Sequence, residues 1–371
     1  MLMGNAKITP EGVEQLRSRI GLDLRVKQFN TEANQWNIRR FVETIGDDNP
    51  LWTAPTYARE TRYGCTIAPP TFLYSILSPS GALAGGLPGV HSFYGGNDWQ
   101  FFKPIRVGTK ISASAKLVDV TEKQSEYGGR SVVVTVDVSY KDQSDLLLAT
   151  AKGWSIRVER EAGVQQGKYA GLPPIRKYTS EEINAIEEAC LSEGYCGATV
   201  RYWDNTNVGD ELTPLVKGPL TFEDMERFIG AISDAINYGS VVQQLRRHPA
   251  FFFRDPNTNA WEPVSTVNLY DYPAQAVGIP RFYDRGEQRI SWLGHVLTSW
   301  MGDDGFLERL HVKLMLPNLR GDTQWCKGKV AKKYTEGEHP LVDCDIWCEN
   351  QDGKQTAVGT ATIRLCSKTF L

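Results

Sequence analysis

The densest group of polar side chains in the first half of the chain lies in the stretch GDDNPLW, residues Gly46–Trp52. It places two carboxylates and an amide, Asp47, Asp48 and Asn49, directly after the helical run WNIRRFVETI. Such carboxylates can accept and return a proton in general acid–base catalysis. They can equally cap a helix or a turn without any chemical role. The stretch therefore indicates either part of an active site or a capped turn.

The five histidines are further candidates for proton transfer, but no two of them stand at the spacing of metal ligands. His295 lies in the helical run GEQRISWLGHVLTSW, where burial in the core is more common than catalysis. His91 precedes a predicted strand and is a candidate for the wall of a pocket. His248, His311 and His339 fit surface or strand positions. With no phosphate-binding loop and no Gly-x-Ser-x-Gly motif either, we predict neither a metal nor a cofactor.

Composition excludes several classes of partner. The chain has 371 residues, with 41 basic and 44 acidic side chains and a formal net charge of −3. No basic stripe favours nucleic acid, and the longest apolar runs are too short to span a bilayer. We therefore expect no nucleic-acid partner and no membrane. Seven scattered cysteines and the absence of a signal-like N-terminal run predict reduced thiols in a cytoplasmic protein.

A weak internal repeat predicts how the chain is divided. RRFVETIGD aligns with ERFIGAISD, so that Phe41 matches Phe228 and Asp47 matches Asp234. Each copy leads through a polar loop to a longer apolar helix and then to β-rich runs, which is typical of two similar α+β halves. We predict an N-terminal half at 1–160, a linker with a capped helix at 161–214, and a C-terminal half at 215–371 with an insertion at about 236–266.

Several stretches together resemble the MaoC-type dehydratases with a double hot-dog fold: FVETIGDDNPLW, IAPPTFLYSIL, FYGGNDWQFFKPIRVGTKI, VGIPRFYDRGEQRISWLGHVLTSW and LPNLRGDTQWCKGKV. The resemblance implies two antiparallel sheets, each wrapped around a long central helix. It also implies an (R)-specific enoyl-CoA hydratase or a dehydratase of acyl thioesters. In that family an Asp and a His of the motif Gly-Asp-x-Asn-Pro-x-His move protons, and a backbone N–H at the start of the central helix stabilises an enolate.

The N-terminal half departs from this motif at two positions. Asp47 and Asn49 match, but Trp52 stands where the family has His, and an indole accepts no proton at neutral pH. Pro70 stands where the family has the glycine that donates the N–H, and proline has none. We therefore interpret this half as a degenerate site in which Asp47, Asn49 and Trp52 line the substrate site rather than perform the chemistry.

The C-terminal half retains the glycine, Gly286, in YDRG. The position of the family's His, eighteen residues earlier, is Asn268, which can donate hydrogen bonds but cannot take a proton. Arg285 can bind a substrate carboxylate or phosphate, or it can pair with Asp284. The insertion is a candidate lid or pocket wall. The resemblance thus predicts a catalytic group and a binding group; the first is Asp234, Asn268, Tyr283, Asp284 and Gly286, and the second is Arg285, Asp47, Asn49, Trp52, His91, Trp292 and His295.

Three functions remain open at this point. The first is a hydro-lyase, either hydratase or dehydratase, acting on an acyl-CoA-like or other activated carbonyl substrate with unusual acid–base residues. The second is a non-catalytic protein or subunit that binds an acyl or aromatic ligand, which the loss of His from both motif positions favours. The third is a hot-dog enzyme with elimination or rearrangement chemistry on a free acid, which Arg285 favours. A homodimer is possible for any of them.

Overall fold

In each half, helices and short elements come first in the chain and a run of long antiparallel strands follows. The computed structural model describes residues 7–125, 129–166, 169, 171–233 and 238–369. In the N-terminal half the helices are α1 (Pro10–Arg17), α2 (Gln35–Ile45), α3 (Pro50–Thr53) and α4 (Pro55–Arg59). The strands of this half are β1 (Asp23–Leu24), β2 (Ile67–Ala68), β3 (His91–Phe101), β4 (Ile105–Arg106), β5 (Ile111–Ser125), β6 (Gly129–Asp142) and β7 (Leu147–Val158).

Two helices follow, α5 (Arg160–Gln166) and α6 (Ser180–Leu191). The helices of the C-terminal half are α7 (Phe222–Ile232), α8 (Tyr238–Arg247), α9 (Asp271–Gln275) and α10 (Gly286–Met301). Its strands are β8 (Leu215–Lys217), β9 (Phe252–Arg254), β10 (Trp261–Pro263), β11 (Phe306–Leu314), β12 (Gln324–Glu336), β13 (His339–Asn350) and β14 (Gln355–Arg364). Within the described residues, no helix combines the length and the apolar character needed to cross a bilayer.

The strands of both halves join into one antiparallel sheet of ten strands, in the order β1-β5-β6-β7-β3-β11-β14-β13-β12-β8. The halves meet where β3 pairs with β11, with Asp98 opposite His311 and Gln100 opposite Arg309. Five strands lie on each side of this seam. The predicted α+β double hot-dog architecture is therefore confirmed, with its two sheets continuous through hydrogen bonds across the pseudo-dimer.

Helix α10 is the central helix of the C-terminal half, and all of its 16 residues are buried. A helix enclosed on every side needs small residues where it approaches its neighbours closely. At Gly294, a Cβ atom would lie 2.9 Å from Cγ2 of Thr71, which belongs to the N-terminal half. The core of one half is thus in direct contact with the core of the other.

The N-terminal half lacks the long central helix that we predicted by analogy. Two 3-10 helices, Pro70–Ser75 and Gly81–Ala84, occupy that region instead. Pro79 lies between them, and proline interrupts helical hydrogen bonding. Aromatic side chains fill the remaining core: the rings of Tyr74 and Trp99 lie 5.3 Å apart, and Tyr140 stacks on Trp99 at 5.5 Å. The repeat therefore conserves the sheet better than the helix that the sheet surrounds.

The segments outside the ten-stranded sheet form helices and a separate hairpin. Helix α6 begins after Thr179 with the capping box that the sequence predicts, in which Thr179 and Glu182 satisfy each other's backbone N–H groups. The described part of the insertion contains α8 and a hairpin in which β9 pairs with β10. Its Phe251 reaches the pocket at the start of α10. The insertion thus supplies one wall of a cavity, as one of its two predicted roles requires.

Candidate active site at the start of the central helix

A cavity of about 270 Å³ lies at the N-terminus of α10. It brings together six residues that the sequence analysis selected: His91, Asn268, Tyr283, Asp284, Arg285 and Gly286. A second cavity of about 200 Å³ shares Tyr283, Asp284 and Gly286 with the first and continues past Leu314 and Leu316. The residues of this region come from both halves, because β3 of the N-terminal half lies beside the turn that precedes α10.

Gly286 is the first residue of α10, so helix geometry gives its backbone N–H no acceptor within the helix. The helix dipole adds a partial positive charge at this end. A Cβ atom at this position would lie 2.2 Å from Cδ1 of Leu314 and 2.8 Å from Cδ1 of Tyr94. Glycine is therefore required by close packing, and it presents a backbone donor where the two cavities meet.

His91 and Tyr283 are paired in the same cavity, with 3.0 Å between Nε2 of His91 and Oη of Tyr283. His91 is buried, and burial, followed by the positive charges of Arg160 and Arg157, lowers its pKa to about 3. The imidazole is therefore neutral at physiological pH, and one ring nitrogen is free of a proton. The neutral imidazole and the phenol thus place one proton acceptor and one proton donor side by side in the cavity.

Asn268 supports the turn in front of α10. Its Nδ2 donates hydrogen bonds to the carbonyl oxygens of Tyr283, at 2.8 Å, and Asp284, at 3.3 Å. These bonds fix the backbone that presents Tyr283 to the cavity. The amide that replaces the family's His thus has a clear positioning function.

The charged residues around the turn form two separate ion pairs. Asp284 binds Arg289 through two bonds, of 2.6 and 3.1 Å, and burial raises the pKa of Asp284 to about 6. Arg285 pairs with Glu287 at 3.0 Å. The interpretation that Arg285 pairs with Asp284 is therefore wrong, because Arg289, one turn further along the helix, occupies both carboxylate oxygens. The carboxylate of Glu287 balances the charge of Arg285, so Arg285 is less suited to bind a substrate anion.

The motif loop GDDNPLW lies elsewhere, after α2. Asp47 accepts a hydrogen bond from the backbone N–H of Asn49, and Asn49 caps the short helix α3 by accepting from the N–H of Leu51. The loop is thus the capped turn that one interpretation predicted. Asn49 and Trp52 also line a narrow apolar cavity of about 30 Å³.

His295 of the central helix faces this loop. Its Nε2 lies 3.5 Å from Oδ1 of Asp47, and both side chains are almost fully buried. Burial raises the pKa of Asp47 to about 6 and lowers that of His295 to about 3. Asp47 Oδ2, His295 Nδ1 and Trp52 Nε1 are buried without a hydrogen-bond partner. The structure therefore brings an Asp and a His together, but across the two halves and outside the cavity at Gly286.

Two other residues that the sequence analysis selected are Trp292 and Asp234. Trp292 is 4% exposed and packs in the core on α10, without lining the cavity. Asp234 lies outside the described residues. The sequence analysis missed Arg157, Tyr94 and Glu287, which all line the cavity. Arg157 gave no signal of its own in the sequence, because it stands at a polar position of the alternating run Trp154–Val158.

Comparisons with known proteins agree with this architecture. Residues 18–151 match the model of the FAS1-like, dehydratase domain region. A UPF0336 protein of Streptomyces avermitilis is 27% identical over 121 residues, which cover 28% of this chain and 81% of that protein. A MaoC-like dehydratase structure covers 95% of this chain and 100% of its own, with a TM-score of 0.65 and 14% identity.

A second solved structure carries the description of the fold. A conserved hypothetical protein of Mycobacterium tuberculosis, described as having a double hotdog fold, covers 92% of this chain and 96% of its own. Its TM-score is 0.54 at 10% identity. The protein is thus a double hot-dog protein of the α+β class. The resemblance to the MaoC-type dehydratases is confirmed, with the family match confined to the N-terminal half and the fold match extending over nearly the whole chain.

Proposed function

We propose that this protein is a hydro-lyase that adds water to, or removes water from, an acyl thioester or related activated carbonyl compound. The observation that supports the proposal best is the cavity at the start of α10, where a backbone donor and a proton-relaying pair stand together. The dehydratase family match and the fold are consistent with this reaction class.

The electrophilic part of the proposed site is the Gly286 N–H. Hydration of an enoyl compound places negative charge on the carbonyl oxygen as the enolate forms, and a preorganised donor lowers the energy of that state. The N-terminus of a buried helix is well suited to this, because the dipole acts there with little screening by water. A carbonyl oxygen held at Gly286 would direct the adjoining carbons into the cavity that His91 and Tyr283 line.

The proton-transfer part of the proposed site is the His91–Tyr283 pair. In dehydration, the neutral imidazole and the phenol together remove the α-proton and return a proton to the departing hydroxyl group; in hydration the same steps run in reverse. The pair would take over the role of the family's motif His, whose two positions are occupied by Trp52 and Asn268 in this chain. Asp284, held by both oxygens on Arg289, then orients the turn and is not the proton carrier.

The experiment that tests the proposal follows the enone absorbance of enoyl-CoA thioesters with short, long, aromatic and steroid acyl groups. We expect turnover of at least one, and a fall in kcat of at least about a hundredfold for Tyr283→Phe and for His91→Asn, as for loss of general acid–base catalysis. Tyr270→Phe is the matched control, because Tyr270 is 41% exposed and lies outside the cavity. Turnover that both site variants retain would overturn the assignment.

The second candidate function is ligand binding without catalysis. Neither motif position carries a proton acceptor, and the amide of Asn268 is engaged with the backbone. This candidate predicts no turnover of any thioester, together with unchanged acyl-ligand affinity in Tyr283→Phe. A single turnover assay combined with a binding titration therefore separates the two functions.

A further inference from the structure

Arg157, near the end of β7, is a buried cation to which the described residues supply no anionic partner. It is 3% exposed, and its Nη2 donates only long hydrogen bonds to the carbonyl oxygens of Gly81, at 3.3 Å, and Gly85, at 3.4 Å. Its Nε is buried without a hydrogen-bond partner. Within the described chain, no carboxylate lies within ion-pair distance of its guanidinium, and burial lowers its pKa to about 10.

The neighbouring Arg160 repeats this pattern. Its Nη2 donates to the carbonyl oxygen of Ala250 at 3.0 Å, its Nε has no partner, and its guanidinium lies over the ring of Phe253. Burial lowers the pKa of this arginine to about 10 as well, and the described residues give it no carboxylate partner. The positive charges of both arginines, together with the larger effect of burial, lower the pKa of His91.

The other two arginines near the turn are paired with carboxylates. Arg289 is bound by Asp284 and Arg285 by Glu287, each within 3.1 Å. A buried arginine without a carboxylate is costly, because the desolvation of its charge is not offset by an ion pair. Such a cost is usual at positions where a ligand supplies the missing charge. Arg157 lines the cavity of about 270 Å³ that also contains His91 and Gly286.

We infer that Arg157 is the recognition site for a carboxylate on the substrate, in the cavity that Gly286 also lines. A guanidinium binds a carboxylate through two parallel hydrogen bonds, either from Nε and Nη2 or from its two Nη atoms. Within the described structure, Nε of Arg157 has no hydrogen-bond partner, and its Nη2 makes only the two long bonds to Gly81 and Gly85. The inference rests on the proposed function only in placing the substrate in this cavity. The inferred substrate class is a carbonyl compound that carries an anionic carboxylate.

Two kinds of molecule offer this chemistry. One is the monothioester of a dicarboxylic acid, in which the reacting carbonyl is neutral and the remote end is charged. The other is a free acid whose only carbonyl group is the carboxylate. Simple probes distinguish them: monomethyl succinate has an ester carbonyl and a remote carboxylate, dimethyl succinate lacks the charge, and butyrate has only the carboxylate.

The test is a ligand-observed NMR titration of the full chain with these three probes. We expect monomethyl succinate to bind at least about tenfold more tightly than dimethyl succinate, as for one charge-assisted hydrogen-bonded pair. Arg157→Gln should bring this ratio close to one, whereas Arg157→Lys should restore part of it. Arg160→Gln is the matched control: this arginine is equally unpaired but does not line the cavity, so the ratio should persist.

The wild-type ratio tests the inference even if Arg157→Gln does not fold. Equal binding of the two succinate esters to the wild-type protein would overturn it, as would an unchanged ratio in folded Arg157→Gln. Butyrate binding as tightly as monomethyl succinate would assign the free acid, and weaker binding would assign the monothioester. Carboxylate-selective binding without turnover of any thioester would refute the proposed lyase function and leave this inference standing.

Discussion

At the scale of single residues, the most unusual feature is a set of buried ionisable groups whose pKa values are displaced by burial. His91 and His295 are held neutral, with pKa values of about 3, while Asp47 and Asp284 have pKa values raised to about 6. Both imidazoles therefore carry no charge at physiological pH. Because burial raises the pKa values of Asp47 and Asp284, ionisation of these carboxyl groups lowers the stability of the folded protein.

Asp47 gives a pH prediction with a definite sign. Burial raises its pKa from 3.8 to about 6, so between these values the folded protein holds a proton that the unfolded chain has released. Stability contributed by this group is fully present below pH 3.8 and is lost as the pH rises to about 6. Asp47→Asn removes this titration and keeps an acceptor for the Asn49 N–H. We expect the variant to be more stable by up to about 3 kcal/mol at pH 7.

Urea unfolding of wild type and variant at pH 4, 5, 6 and 7 measures this difference. The gain should grow from pH 4 to pH 6 and then stay constant. Asp48→Asn is the matched control, because Asp48 is the exposed neighbour and should give no such trend. A variant that is less stable than wild type at pH 7 would show that the charged form of Asp47 is compensated in the fold.

At the scale of secondary-structure elements, the site depends on where α10 begins. The turn before it is held by Asn268, and its first residue packs against Tyr94 and Leu314. The family resemblance predicted the start of this helix correctly, because YDRG matches the turn that opens the family's central helix and Gly286 is the first residue of α10. The break in the equivalent N-terminal helix was not predicted. The apolar residues of IAPPTFLYSIL suit a buried helix, and the interruption of helical hydrogen bonding by Pro79 was not taken into account.

Gly286→Ala tests the packing at this helix start. The added Cβ would meet Leu314 at 2.2 Å and Tyr94 at 2.8 Å, so the helix terminus or both side chains must move. We expect a loss of about 1–3 kcal/mol in the free energy of unfolding, as for overpacking of a core. Gly194→Ala is the control, since nothing lies within 4 Å of a Cβ there. Equal stability of the two variants in urea would refute close packing at Gly286.

At the scale of the whole molecule, residues from both halves build each important contact. His91 and Tyr283 are 192 positions apart in the chain, and Asp47 faces His295 on the other half. Local patterns located each of these residues but could not pair them, because the pairing depends on how β3 meets β11 and how α10 crosses the N-terminal core. Arg157 was missed for the same reason, because only the three-dimensional structure shows that the described residues place no carboxylate beside it.

Separating the halves should therefore prevent either from folding alone. We expect fragments 1–171 and 172–371 to lack cooperative unfolding when expressed singly, because each exposes a β3 or β11 edge and part of the shared core. Mixed together, they should recover the circular dichroism spectrum and the elution volume of the intact chain. A single half that melts cooperatively by itself would contradict the prediction.

The complete enclosure of α10 has a consequence for hydrogen exchange. A helix with no exposed residue releases its amide protons only when the surrounding structure opens, so its protection should approach the global free energy of unfolding. The amides of the first turn are the exception, because they have no acceptor within the helix, and among them Gly286 lines the cavity. A rapidly exchanging amide at the end of the slowest-exchanging helix would be a direct signature of the site, and a bound carbonyl compound should slow that one proton while leaving the rest of the helix unchanged.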